Sequence, residues 1–331
     1  MRNEPETMIH YTELPSHYER YDEKYAGLRI ADAALDEDEQ EGGGPLPEAG
    51  AVAWRLTASE ESEDFPEKIE ETLDWFFDHV DTSQVTALVF GEWEECYEES
   101  ADPIVARLAA EAERLPALRA IFLGAISPEE SEISWIQQAD ITPLLEAFPK
   151  LERLEVRGGS ELRMGPVRHD ALRMLRMETG GLPGDVVRAV AGSDLPALEL
   201  LELWFGIDQY GGDATINDVA PIMSGERLPA LRHLRLQNSE FQDEIAAAVA
   251  AAPIVGRLES LSLSMGSLGD AGAEALLSGQ PLTHLRWLNL DHHFMSASMM
   301  ERVAKALPGV EVVLSGRESR ENSWRFVAVS E

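Results

Sequence analysis

Asp291-His292-His293 joins a carboxylate to two imidazoles in a chain of 331 residues that has only eight histidines. Imidazole and carboxylate together suit zinc. Adjacent residues of an extended segment point to opposite faces, however. No His-x-x-x-His or His-Glu-x-x-His spacing supports the run, so it reads as a polar loop and no metal is expected. Cys96 is the single cysteine, and it stands among Glu92, Glu94, Glu95, Glu98 and Glu99. A thiolate nucleophile needs positive charge beside it, and these residues supply the opposite. The same run lacks the alternating Asp/Asn and central Gly of a calcium loop. Gly42, Gly43 and Gly44 lead into Pro45 and Pro47. A phosphate cradle continues instead with Gly-Lys-Ser/Thr and a helix, so the stretch reads as linker. Ser260, Ser262 and Ser264 lack a Gly-x-Ser-x-Gly elbow and read as a small, smooth patch. Glu155, Glu202, His233 and Asp291 are the titratable groups left for an enzyme site. No catalytic residue and no cofactor is expected.

Composition narrows the partners. One cysteine excludes an intrachain disulfide and a Cys-rich zinc site. No apolar run approaches the ~20 residues of a membrane span, and the first residues lack the apolar core of a signal peptide, so a cytoplasmic location is expected. The net charge is −34. Residues 1–150 hold −26 of it and residues 151–331 hold −8. Such a surface repels nucleic acid and anionic membrane, and neither is expected as a partner. It favours a protein or peptide of basic character.

The elements that position these residues follow from one recurring phrase. Leu-x-x-Leu-x-Leu units start at Leu118, Leu151, Leu172, Leu198, Leu231, Leu258 and Leu285. A fainter unit starts at Val85, a blurred one lies at 307–316, and 51–57 fits a first. Self-similarity at a period of 20–50 residues marks a solenoid. In each unit the last two leucines are two apart on a strand and face inward together, while the first turns in from the loop before it. One unit cannot bury its apolar side alone; stacked units bury it for each other. Parallel neighbours need crossovers, and helical stretches stand where crossovers are needed: 100–116, 181–196, 243–253, 268–281 and 296–308. Ser298 is the expected N-cap of the last. Ile69, Leu73, Phe76 and Phe77 form one helical stripe, so the rhythm begins near residue 50.

This pattern resembles the leucine-rich-repeat superfamily, in particular its ribonuclease-inhibitor-like subclass. The resemblance spans roughly 85–315, more weakly 50–84, with residues 258–279 as the clearest unit. The apolar residue that the family places ten positions after the first leucine is matched by Leu182, Phe241, Leu268 and Met295. The family's Asn or Cys eight positions on is absent. Ile126, Gly159, Gly180, Gly206, Ser239, Gly266 and His293 stand there, so backbone or water must satisfy those turns. The chain also resembles a bacterial family of leucine-rich-repeat proteins of uncharacterised function. The resemblance implies an α/β horseshoe, with a parallel sheet on the concave side and helices on the convex side. The expected organisation is an acidic leader over 1–50, a solenoid over 51–316 and a capping segment over 317–331, with Trp324, Phe326 and Val327 covering the last edge.

The residues between the leucines would then line the concave face. Phe122, Arg157, Arg176, Trp204, His233, Arg235, Trp287 and Asp291 are the expected partner-binding set. Trp and Arg are the types most enriched at binding hot spots, and solenoid cradles bind proteins. The expected function is non-catalytic protein binding. The alternatives are an enzyme or accessory subunit of a bacterial modification pathway, and an inhibitor of a basic enzyme. Against a shared active site, Glu155 and Asp291 would stand on the order of 20 Å apart across neighbouring strands.

Overall fold

The structure is a computed structural model that describes residues 24–33, 46–58, 66–319 and 324–331. The Gly42–Gly44 run lies outside the described residues. The fold is α/β and repeat-like, built on a single open sheet of 12 strands whose spatial order is their chain order. The strands are β1 (Lys24–Tyr25), β2 (Leu28–Asp32), β3 (Val52–Leu56), β4 (Ala87–Phe90), β5 (Ala120–Leu123), β6 (Arg153–Arg157), β7 (Met174–Glu178), β8 (Leu200–Gly206), β9 (His233–Ser239), β10 (Ser260–Ser262), β11 (Trp287–Asn289) and β12 (Glu311–Val313). β1 and β2 form an antiparallel hairpin, and every later pairing is parallel. This hairpin lies within the stretch read as an acidic leader, so the sheet begins earlier than the leucine spacing indicates.

The crossovers hold α1 (Ile69–His79), α2 (Asp102–Ala110), α3 (Thr142–Ala147), α4 (Gly184–Gly192), α5 (Ile216–Ser224), α6 (Gln242–Val249), α7 (Asp270–Ser278) and α8 (Ala297–Ala306). All eight pack on one face of the sheet. Their apolar stripes join Leu154, Leu175, Leu201, Leu234, Leu261 and Leu288 in one continuous core. These strand leucines are at most 1 % exposed, so each buries about the 1.5–3 kcal/mol of a full leucine side chain. Among the described residues, no helix side chain belongs to the clusters on the opposite face.

Neighbouring units also cap one another. The Asp243 carboxylate accepts from the N–H groups of Gly269 (2.7 Å) and Gly272 (3.0 Å) at the start of α7. Asp270 accepts from the Ser296 N–H in the same way, at 2.7 Å. The cap of α8 is Ser296, two residues before the expected Ser298. The Ser296 backbone is extended, and its Oγ accepts the Met299 N–H at 3.2 Å.

At the C-terminal end of the strands the chain turns through a left-handed residue in unit after unit: Gly124, Gly158, Gly206, Asn238, Met265, His292 and Gly316. The turns are satisfied backbone to backbone between units. Asn238 N–H donates to Ser264 C=O at 3.0 Å, Met265 N–H to Asp291 C=O at 2.9 Å, and His292 N–H to Ser315 C=O at 3.2 Å. Where a side-chain amide does help, it comes from another position: Gln138 donates to Arg157 C=O at 2.7 Å and Gln242 to Leu236 C=O at 2.9 Å.

Candidate binding face

The face opposite the helices carries three rows of side chains, one residue per strand per row, because the parallel register is continuous. The central row runs Asp32, Arg55, Val89, Phe122, Glu155, Arg176, Glu202, Arg235, Ser262, Asn289 and Val313. Four successive strands in its middle alternate Glu155, Arg176, Glu202 and Arg235. The row on the N-terminal side holds Ala120, Arg153, Met174, Leu200, His233, Ser260 and Trp287. The other flank pairs Arg157 with Glu178 and Trp204 with Gln237.

These charges form one buried network. The Arg176 guanidinium reaches Glu155 at 3.2 Å, Glu202 at 3.5 Å and Glu178. Arg153 meets Glu155 at 2.6 Å, Arg157 meets Glu178 at 2.8 Å, and Arg235 meets Glu202 at 3.2 Å. The Trp204 indole N–H donates to Glu202 at 2.9 Å. Burial pushes the Glu155 carboxyl up, but Arg153 and Arg176 outweigh it and hold the group below its ordinary value. Burial lowers the Arg235 guanidinium against the pull of Glu202.

Seven of the eight residues expected to bind a partner fall on this one face, with differing access, and Asp291 lies in the turn just past the end of β11. Phe122, Arg157, Arg176, Trp204, His233 and Arg235 are buried, while Trp287 and Asp291 are half-buried. Phe122 lies under the β1–β2 hairpin, its ring 6.1 Å from that of Tyr25. Arg235 stands over the Trp287 ring at 5.5 Å, and Arg153 over Tyr25 at 4.8 Å. Long cationic side chains that lie along the sheet thus fill space which leucines fill on the other face.

His233 Nδ1 lies 2.7 Å from Ser260 Oγ, the spacing of a base and a hydroxyl nucleophile. Burial lowers the His233 pKa to about 4, though, and so weak a base draws little from a hydroxyl at neutral pH. The Asp291-His292-His293 run splits apart. Asp291 accepts from Ser315 Oγ, His292 Nε2 lies 3.1 Å from Phe326 C=O, and the buried His293 ring turns inward to Leu314 C=O at 3.2 Å. Among the described residues, no three His, Cys, Asp or Glu side chains converge to hold a metal ion. Cys96 is buried, and burial together with Glu92 pushes its thiol up to about 11. No helix of the described residues is long and apolar enough to cross a membrane.

Two features have no counterpart in the leucine pattern. The segment Trp324–Glu331 does not cover the last edge. It runs back across the C-terminal ends of the strands, with Val329 packed on Ile133, Trp204 and Met265. Trp324 itself is 77 % exposed. A small cleft of about 100 Å³ opens beside this strap, with Ile126, Arg157, Trp204 and Val329 in its walls. The second feature is the loop edge after β4 and β5. Residues 91–102 and 124–140 carry ten carboxylates and no Lys or Arg, with Tyr97 and Trp135 about half exposed among them. The two loops are joined by hydrogen bonds from Gln137 N–H to Cys96 C=O (2.8 Å) and from Ala101 N–H to Gln137 C=O (3.1 Å). The acidic run was legible in the sequence, but its pairing with the second loop was not.

A solved structure similar to this chain is a Bacteroides fragilis protein determined as a structural-genomics target. It is 28 % identical, with a TM-score of 0.72, over 91 % of this chain and 76 % of that one. No protein-family model and no curated protein matches the chain. The likeness supports the architecture and carries no chemistry with it.

Proposed function

We propose that the chain is a non-catalytic protein-binding module of the leucine-rich-repeat kind. Its sheet would curve so that the helix-free face becomes the concave side of an arc. The observation that carries this reading is the face itself: among the described residues no helix layer covers it, and its central row holds an ordered Glu–Arg ladder from Glu155 to Arg235, with Trp204 and Trp287 in the flanking rows, where an apolar layer would be simpler. Burying ion pairs is often no more stabilising than burying apolar side chains of similar volume. Their selective value is then sought in recognition, and Trp287 and Asp291 are the members of the set with the freest access.

The test is capture from cells of a bacterial source, identification of the retained protein, and titration of that purified protein against wild type and the double variant W287A/D291A. An anchor role predicts at least tenfold weaker binding with an unchanged melting temperature. Equal affinity of the two forms counts against this face.

A second reading is favoured by the loop edge around Tyr97 and Trp135. Ten carboxylates interleaved with two exposed rings suit a basic protein surface, as a blocker of a basic enzyme would require. Affinity on that edge would fall steeply with salt. Affinity anchored on Trp287 would not, so a salt titration of the same complex separates the two readings.

A further inference from the structure

We propose that the C-terminal ends of β9, β10 and β11 form a site for an extended peptide, occupied in cis by residues 325–330 of this chain. In trans it would take a partner segment of the same pattern: a basic residue, an aromatic, then aliphatic residues around a small one.

The argument rests on how the strap is held. Three successive units turn through a left-handed residue that is not glycine: Asn238 (φ 55°), Met265 (φ 66°) and His292 (φ 52°). Each grips one strap residue by its main chain. The His292 ring meets the Phe326 C=O at 3.1 Å. The Met265 C=O accepts the Ala328 N–H at 2.7 Å. The Asn238 carboxamide takes both sides of Val329, accepting its N–H at 3.0 Å and donating to its C=O at 2.5 Å. One unit thus reads one or two residues of main chain, as an extended segment crossing parallel strands requires. Glycine fits such turns without strain, and the three earlier left-handed turns that follow β5, β6 and β8 use it. At Asn238 and His292 the position carries a side chain that bonds the strap, while Met265 bonds it through its main chain and packs its side chain on Val329.

The ligand's chemistry is written by its present occupant. Asn238 is fully buried, and its other bond is a long one to Thr179 C=O at 3.4 Å. If the strap leaves, a peptide main chain is what satisfies a buried carboxamide on both its donor and its acceptor side. Val329 fills an apolar slot against Trp204 and Ile133. Arg325 donates to Asp243 at 2.6 Å and to Ser267 C=O at 2.8 Å, which selects a cation four residues before that slot. Of the binding set proposed for the sheet face, Arg157, Trp204 and the outlying Asp291 turn border this groove, and none of them is altered in the experiment, which uses a peptide from this chain, so either proposal can fail alone.

The test uses the full chain. A328P removes the N–H that bonds Met265, and R325E opposes Asp243; each is expected to release the strap, read as faster hydrogen exchange over 325–331. A fluorescein-labelled peptide of residues 323–331 is then titrated by anisotropy. Saturable binding to the released variants, at least tenfold weaker binding to wild type, and at least tenfold loss on adding N238G support the proposal. N238G removes the carboxamide and keeps the left-handed turn. No uptake by a variant whose strap has been released overturns the proposal, as does uptake indifferent to N238G. A released variant that dimerises with concentration while taking up no peptide assigns the groove to a second copy and also overturns it.

Discussion

Removing Arg176 tests whether the buried ladder is a set of interdependent ion pairs. The side chain is 2 % exposed and lies within 3.5 Å of the Glu155 and Glu202 carboxylates, with Glu178 beside it. At 3.2 Å, the attraction to Glu155 alone is about 5 kcal/mol for an effective dielectric near 20, and desolvation of both ions offsets much of it. Breaking a buried pair by losing one partner typically costs ~3–5 kcal/mol. Each of the three carboxylates keeps a second guanidinium: Arg153 for Glu155, Arg157 for Glu178 and Arg235 for Glu202. R176M should therefore fall near the lower end, ~3 kcal/mol at pH 7. The pH dependence has a definite sign. Burial raises the Glu155 carboxyl, Arg153 and Arg176 lower it further than burial raises it, and the folded value lies below the ordinary one. That stabilisation is complete above the unfolded pKa of about 4.3 and is lost as pH falls through the folded value. In R176M one of the two cations is gone, so less remains to lose. Urea unfolding followed by circular dichroism at pH 7 and pH 4 should show the gap between the forms narrowing in acid. A gap below ~1 kcal/mol at pH 7, or one that widens on acidification, refutes the reasoning.

Three further outcomes are expected. His233 is neutral in the folded state, with a pKa near 4 because burial disfavours its charge. The unfolded chain, at about 6.5, takes the proton first, so up to ~3 kcal/mol of stability is lost between pH 6.5 and 4, and H233Q should show a shallower acid limb in urea melts over that window. Cys96, with its thiol near 11, should react with a disulfide reagent at pH 7 only after unfolding; labelling in native buffer as fast as in urea contradicts its burial. In G206A the new Cβ would lie 1.8 Å from the Gly180 C=O at a φ of 67°. The clash and the left-handed backbone together should cost ~3 kcal/mol or more, seen as a melting temperature lower by roughly 6 °C.

The sheet was legible in the sequence where a row of side chains repeats one chemistry. Leu118 to Leu285 announce the helix-facing core because each unit must bury the same two strand positions. Register followed from that spacing, so Glu155, Arg176, Glu202 and Arg235 could be set on one face before any coordinates. Their burial could not be read there. Arg and Glu count as surface types until a neighbour one strand away supplies the opposite charge, and those neighbours are 21 to 33 residues distant. The β1–β2 hairpin was hidden because Lys24 to Asp32 lack the Leu-x-x-Leu-x-Leu phrase. The strap was hidden for a different reason. It is held through main-chain groups, and a main chain gives no sequence signal; Asn238 and Ser134 show their role only when Val329 and Ser330 arrive beside them.

A core of this kind leaves one problem that the ladder resolves. Leu154, Leu175, Leu201 and Leu234 are successive neighbours in the apolar layer, and all are leucine. That layer cannot tell one unit from the next, so stacking the units in the wrong order would bury nearly the same apolar area. The polar row can tell them apart. In the native order Glu155, Arg176, Glu202 and Arg235 meet opposite charges at every step. Skipping one unit would set Glu155 against Glu202, or Arg176 against Arg235, in a site without water to screen them. Like charges a strand spacing of ~4.8 Å apart repel by about 3–4 kcal/mol at an effective dielectric near 20. The leucines supply the drive to stack, and the alternating charges supply the order.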